Sequence, residues 1–461
     1  MPGDLVIVSN RGPLSFSLDE EDTLVTRRGG GGLVTALGSA VAGTGATWIA
    51  GALSAADREA AGRGLVEAEG FRLRLLVVDL EAYRGYYDVI ANGTLWFLHH
   101  GLWDTPRRPR FDRRWREAWA SFEAVNAAFA TTVADVAPDG ATVVVHDYHL
   151  PLLGSSLARE RPDLRTVHFT HTPFCTADGL RALPVDAAGT LLTGMAGYGA
   201  RGFHATRWAR NFEACCDDVL GAPVSTFVSP AAADTDDITT VAASEPCATA
   251  LAALEEQVGD RRLIVRVDRI ELSKNLLRGF WAYETLLQEH PEWRERVVFA
   301  ARVYPSREGL AEYLAYRQEV EGLIGQINDR WSTPTWTPVL YDPSDDFPGS
   351  VAALRRYDVL LVNPVRDGLN LVAKEGPVVN ERDGVLALSR ESGVWEELGG
   401  AALEVHPFDV GQTADVLHTA LSMAPGERRA HSDEVRRRAG ARTPTDWLAD
   451  QRRAVEGPGA V

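Results

Sequence analysis

The stretch Asp358-Val359-Leu360-Leu361-Val362-Asn363-Pro364-Val365-Arg366-Asp367-Gly368-Leu369-Asn370-Leu371-Val372-Ala373-Lys374-Glu375 decides the reading of the chain. Its run of valine and leucine predicts a strand buried on both faces, as in a parallel sheet. The Pro- and Gly-punctuated segment after it predicts a tight turn, and Leu369–Glu375 a helix start. In that order Asp367 stands at the carboxyl end of a strand, where open α/β sheets bind ligands. Gly368 lets the backbone come close, and the amides of Asn370 and Leu371 attract phosphate oxygens. Taken alone, the segment fits an ordinary βα turn with a solvated Asp and Glu equally well. Its neighbours decide between the two.

The same arrangement recurs outward from this point. Strand-like Leu5–Ser9 precedes Asn10-Arg11-Gly12-Pro13, Ala141–Val145 precedes His146-Asp147-Tyr148-His149, and Arg165–Thr170 precedes His171-Thr172-Pro173-Phe174. Arg11, Asp147 and His171 thus end three strands of one α/β unit, and strand ends in a parallel sheet converge on one rim. In the second half, Leu263–Val267 precedes Asp268-Arg269-Ile270-Glu271-Leu272-Ser273-Lys274-Asn275. Arg269 as a planar fork and Lys274 as a point charge, just past a strand, suit a diphosphate, although this segment alone fits a solvated basic turn equally well. Lys274 and Lys374 are the only lysines among 47 basic residues, and both fall inside candidate ligand motifs. The glycine loop Gly29–Gly32 opens a helix and could bring backbone to a phosphate or sugar ring, a weaker signal because such clusters are commonly flexible loops.

A chain of 461 residues exceeds one core of usual size and predicts two domains, 1–235 and 236–461, with the linker in Ser229–Pro246 and the last helix free to pack back on the first domain. Two parallel sheets with ligand residues at their strand ends predict a cleft between domains, one wall carrying Asp147 and His171, the other Arg269, Lys274 and Asp367. The pattern further predicts a long polar loop from Pro13 to Gly29, strands at Phe71–Val78, Thr94–Leu98 and Val224–Val228, and helices at Phe111–Val136, Leu180–Met195 and Thr206–Leu220. A net charge of −17 argues against nucleic-acid and anionic-membrane partners. No apolar run approaches a membrane span and no signal peptide is visible, so the expected compartment is the cytoplasm. Cys175, Cys215, Cys216 and Cys247 have no zinc spacing. No metal or other cofactor is expected, because Arg269, Lys274 and the amides near Asn370 already offer positive charge to a diphosphate. Asp217-Asp218 falls in a predicted helix, and Asp236-Asp237 and Asp345-Asp346 in polar segments. A homo-oligomer is left open.

Together these motifs resemble the trehalose-6-phosphate synthases, glycosyltransferase family 20, of GT-B fold: two Rossmann-like parallel-sheet domains facing each other. The resemblance runs from Ser9-Asn10-Arg11 through Tyr87, Trp96, His146–His149, His171–Phe174, Asp268–Ile270, Ser306-Arg307 and Arg366–Glu375 to His406-Pro407-Phe408-Asp409. It implies that Arg269 and Lys274 hold the donor diphosphate, that Asn370, Leu371 and Val372 lend backbone contacts, and that Glu375 meets the nucleotide ribose. It further implies that His171 and Asp367 touch the donor ring, with Gly31 and Gly32 approaching the ring and phosphate. Asp147 would face the acceptor hydroxyls, and Arg11, Tyr87, Trp96 and Arg307 the acceptor phosphate. Asp147, His171, Arg269, Lys274 and Asp367 form the implied catalytic set.

Several of the departures from the family pattern fall at positions that the resemblance places on the acceptor or donor-ring side. Gly51 stands where a second tryptophan is usual, Glu271-Leu272-Ser273-Lys274-Asn275 replaces Asp-Tyr-x-Lys-Gly, Cys175 replaces a proline, Gly376 an aromatic residue, and Trp395 interrupts a small-residue run. An intact diphosphate grip with an altered pocket is similar to the pseudo-glycosyltransferases of validamycin biosynthesis, the validoxylamine A 7'-phosphate synthases. The first expectation is therefore retaining coupling of GDP-valienol with validamine 7-phosphate through a C–N bond. The alternative is a trehalose-6-phosphate synthase using a nucleotide-glucose donor and glucose 6-phosphate. A non-catalytic binder of nucleotide sugars or sugar phosphates is the third reading.

Overall fold

The computed structural model describes residues 4–19, 23–28 and 32–456. Gly31 of the glycine loop and the tail beyond Glu456 lie outside the described residues. The chain divides into two compact units, residues 1–231 with 444–461, and residues 232–443.

The first unit is built on a sheet whose strands run, side by side, Phe227–Val228, Ala200–Phe203, Arg165–Thr170, Thr142–His146, Leu5–Val8, Thr47–Gly51, Phe71–Leu76 and Leu65–Ala68. All neighbours are parallel except the last pair. Thr142–His146 is buried at every position, which is what helices on both faces of a parallel sheet impose. The helix Arg113–Val136 lays down Trp115, Trp119, Phe122, Phe129 and Val133 as one buried stripe, and Asp112 caps it by accepting from the amide of Trp115 at 3.1 Å. The last helix, Pro444–Glu456, belongs to this unit, with Trp447 fully buried.

The second unit carries a fully parallel sheet in the order Val339–Asp342, Val297–Pro305, Arg262–Ile270, Val359–Val362, Val385–Ser389 and Leu403–Val405. In both units the strand order reverses beside the first strand laid down. The reversal lies between Leu5–Val8 and Thr142–His146 in one sheet, and between Arg262–Ile270 and Val359–Val362 in the other. Ligands of open α/β sheets sit outside the carboxyl ends at such a reversal. Arg11 and Asp147 follow the first pair of strands, Lys274 and Asp367 the second.

Several local expectations are corrected. The segment after Pro13 forms an antiparallel hairpin, Leu14–Leu18 with Leu24–Arg28. The apolar run at Thr94–Leu98 is helical: a π-helix Gly85–Leu95 leads directly into Trp96–His100, and short apolar runs do not separate strand from buried helix. The helix expected at Leu180–Met195 is two, Ala177–Leu180 and Val185–Ala196, because Pro184 steers Leu183 out of the helical region. Within Ser229–Pro246 a helix runs from Thr235 to Ala242, capped by Asp234, so Asp236 and Asp237 are helical. Arg269 lies inside its strand, paired with Tyr304, rather than beyond it.

Candidate active site

In the first unit, Asp147 follows its strand with φ of +72°, a left-handed conformation uncommon outside glycine, which Asp adopts more readily than most residues and which its surroundings hold here. Those surroundings are explicit. Its amide donates to the Phe169 carbonyl at 2.8 Å, its carbonyl accepts from Nε2 of His168 at 3.1 Å, and its Oδ1 accepts from the His171 amide at 3.0 Å. His171 itself sits in a row of imidazoles. Its Nε2 is 3.1 Å from Nδ1 of His146, and its Nδ1 is 3.1 Å from Nε2 of His204. Burial, with His168 as the lesser cause, lowers the His171 pKa to about 3, and burial drives that of His146 well below the usual range. Both ring nitrogens of His171 are thus committed to neighbours, so in this arrangement the residue meets Asp147 through its backbone.

Arg11 is exposed and reaches the Tyr87 hydroxyl at 3.5 Å. Tyr87 is held flat between Tyr83 and His149, at centroid separations of 5.4 and 5.7 Å. The turn that carries Arg11 is fixed from behind: the Trp48 indole donates to Ser9 Oγ at 2.8 Å, and that hydroxyl donates to the Arg11 carbonyl at 2.6 Å. Trp96 is buried and stacks on His100 at 3.9 Å. Gly32 begins the helix Gly32–Val41.

In the second unit, two groups of charges stand at the strand reversal. Nζ of Lys274 is 2.7 Å from Asp367 Oδ2 and 3.7 Å from Asp268 Oδ1. Burial would lower its pKa, yet the charges of Asp367 and Asp268 hold it above the usual lysine value. A half-buried ammonium kept charged in this way is suited to meeting an anion. Asn275, next in sequence, has φ of +62° and donates to the carbonyls of Asn363 and Pro407 at 2.9 and 2.6 Å, which locks the turn that presents the lysine. Asp367 is braced in turn: its amide donates to the Glu391 carbonyl and its carbonyl accepts from the Gly393 amide.

The other group centres on Glu271, whose side chain is fully buried. Its Oε1 accepts from Nη1 of Arg269 and from Nη1 of Arg307, each at 2.9 Å, and from Ser306 Oγ at 3.1 Å. Arg307 has φ of +48° and also donates to the Tyr313 hydroxyl at 2.9 Å. Asn370, at φ of +85°, donates to Asp367 Oδ2 at 3.1 Å and accepts from the Ala373 amide at 3.2 Å, capping the helix Val372–Val379 that follows Leu371. Glu375 on that helix is buried, and burial, with Asp237 adding to it, raises its pKa to about 7. Lys374 points elsewhere: it is buried and paired with Glu397 at 2.7 Å, and burial lowers its pKa. Its rarity in the composition is therefore no sign of ligand contact.

Glu271, His204, Ser9 and Trp48 position these groups without any signal of their own in the residue pattern. Of the four, Glu271 and Ser9 fall inside motifs, Asp268–Asn275 and Ser9-Asn10-Arg11. Among the described residues, His290, Glu292 and His418 form the one group of three or more histidine, cysteine, aspartate or glutamate side chains whose ligating atoms all lie within 4.8 Å of one another. The two rings stack in nearly parallel planes, 3.7 Å apart at 10°, so no point within ligating distance lies in both planes, and the Trp293 indole already donates to Nδ1 of His418 at 3.1 Å. That arrangement does not fit a metal ion.

The model of glycosyltransferase family 20 matches residues 3–456. Across 96% of the chain, it is 32% identical to the bifunctional trehalose-6-phosphate synthase/phosphatase of Thermoproteus tenax and 29% identical to a UDP-forming α,α-trehalose-phosphate synthase of Dictyostelium discoideum. It spans 63% and 61% of the length of these two relatives. A UDP-forming synthase from Burkholderia xenovorans, solved in complex with glucose-6-phosphate, superposes with a TM-score of 0.85 at 26% identity, covering 98% of this chain and all of the other. The α/β architecture with parallel sheets is that of the GT-B trehalose-6-phosphate synthases. These findings overturn the expectation of cyclitol coupling, since relatives and solved structures alike are trehalose-phosphate synthases. Local packing accounts for two of the departures that suggested it. A Cβ on Gly51 would stand 3.2 Å from the Asn10 carbonyl, and one on Gly376 would stand 2.6 Å from Leu360 Cδ2. The chain belongs to glycosyltransferase family 20.

Proposed function

We propose that the protein transfers a glucosyl group from UDP-glucose to glucose 6-phosphate with retention of configuration, giving α,α-trehalose 6-phosphate and UDP. The observation that carries this reading is the charged pair of groups at the strand reversal of the second unit: Lys274 on Asp367, and Arg269 and Arg307 on Glu271. Guanidinium and ammonium groups so held suit phosphate oxygens. The names of relatives that form UDP, and the related structure holding glucose-6-phosphate, support the choice of substrates.

In the reaction the bond from the anomeric carbon to the diphosphate oxygen breaks while the acceptor hydroxyl adds on the same face, and the acceptor proton passes to the departing phosphate. Arg269 and Lys274 stabilise the charge gathering on that phosphate. Asp147 orients the acceptor, Glu375 meets the ribose, and Arg11, Tyr87 and Trp96 of the first unit receive the acceptor phosphate. No metal takes part in this scheme, so turnover persists in excess EDTA, and activity lost to the chelator and restored by magnesium or manganese would contradict it. The direct test incubates the enzyme with UDP-, GDP- and ADP-glucose and glucose 6-phosphate, with products followed by mass spectrometry. Trehalose 6-phosphate formed fastest from UDP-glucose is the expected result. No transfer to glucose 6-phosphate from any of these donors would overturn the reading.

A further inference from the structure

The row of imidazoles in the first unit has a direction that one backbone group determines. The amide of Ala231 lies 3.2 Å from Nδ1 of His204 and can only donate. Nδ1 of His204 therefore accepts, and its proton resides on Nε2, 3.1 Å from Nδ1 of His171. That nitrogen accepts in turn, so His171 carries its proton on Nε2 and donates to Nδ1 of His146 at 3.1 Å. By the same rule His146 is protonated on Nε2, which is buried with no hydrogen-bond partner. Each neutral histidine has one donor and one acceptor nitrogen, so reversing any one ring would set two donors or two acceptors against each other. The row is enclosed by Phe169 and by Trp447 of the last helix, whose ring centroid is 5.6 Å from that of His171 and 6.0 Å from those of His146 and His204.

We propose that Ala231, His204, His171 and His146 form a polarised tautomer lock, and that His204 is a positioning residue for the transfer reaction. It acts through His171, whose ring it orients and whose amide holds Oδ1 of Asp147. The lock does not relay protons, because a backbone amide at its head cannot give one up. It adds rigidity to a carboxylate that stands on a left-handed backbone, beyond the bonds that Phe169, His168 and Leu150 make to the Asp147 main chain.

The activity arm of the test rests on the function proposed above; the spectroscopic arm does not. In enzyme labelled with 15N-histidine, long-range proton–nitrogen correlation spectra are expected to show His146, His171 and His204 as Nε2–H tautomers, each assigned by its disappearance in a single variant. His171 or His204 observed as the Nδ1–H tautomer overturns the proposal, whatever the enzyme transfers. His204→Phe keeps a ring without nitrogens and is expected to lower kcat about tenfold to a hundredfold at an unchanged KM for nucleotide, the scale of a small misplacement in an active site. His204→Gln restores a donor near the Nε2 position and is expected to recover most of that loss. Equal kcat in the two variants, with both melting near the wild-type temperature, overturns the positioning role.

Discussion

Lys274 shows most plainly how one side chain is prepared for its work. Its ammonium is held between Asp367 and Asp268, away from bulk water yet kept charged. Lys274→Ala is expected to weaken UDP binding by roughly 1.5–3 kcal/mol, the loss of one charge-assisted bond to phosphate. Isothermal titration checks this, and unchanged affinity would remove Lys274 from the donor site. Glu375 makes the opposite case, a carboxyl that burial and Asp237 keep protonated up to about pH 7. Because its folded pKa stands above the ordinary value of 4.5, ionising it costs stability as pH rises through that interval, and below 4.5 there is no cost. Glu375→Gln is therefore expected to be more stable than wild type at pH 8 by about 3 kcal/mol, a margin that vanishes towards pH 4. Urea unfolding at the two pH values measures it, and a margin independent of pH would mean that Glu375 is not the titrating group. Arg269 and Lys274 can be picked out in the sequence as candidates because two cations five residues apart suit a phosphate, and Asp367 because it follows a predicted strand. Glu271 and His204 are not, since a carboxylate or imidazole that only holds its neighbours has no spacing rule.

At the scale of elements, the parallel strands could be read from short valine-rich runs bounded by turn residues, and the long helix Arg113–Val136 from an aromatic stripe of helical period. The hairpin after Pro13 is legible on one side only: Leu14–Leu18 alternates as Leu-Ser-Phe-Ser-Leu, whereas Leu24–Arg28 reads Leu-Val-Thr-Arg-Arg. The π-helix Gly85–Leu95 has no residue code at all; it is set by packing of Tyr86 and Ile90 into the core beside Phe122. The helix Val372–Val379 offers a test of such packing. Gly376 faces the strand Val359–Val362 so closely that a new Cβ would meet Leu360 at 2.6 Å and Leu354 at 3.2 Å, both fully or nearly fully buried. Gly376→Ala is expected to cost about 1–2 kcal/mol despite alanine's better helix propensity. A denaturation midpoint at or above wild type would show that these leucines can yield.

At the scale of the whole molecule, the first unit is made of two separated lengths of chain, 1–231 and 444–461, with the second unit continuous between them. The late length matters to the early one. Trp447 is fully buried, donates to the Ser229 carbonyl at 3.1 Å and packs edge-on against Phe169 at 5.1 Å. Trp447→Ala is expected to cost roughly 3–5 kcal/mol, read as a lowered melting temperature, and a negligible shift would mean that the helix is dispensable to its unit. The division also bears on biosynthesis. Chains emerge from the ribosome from the amino end, and domains fold as units once their residues are available. The unit that comes second in the sequence is thus the first to have all its residues outside the ribosome. The unit that starts first must wait, with the bed of Trp447 uncovered, until residues 444–456 have been made.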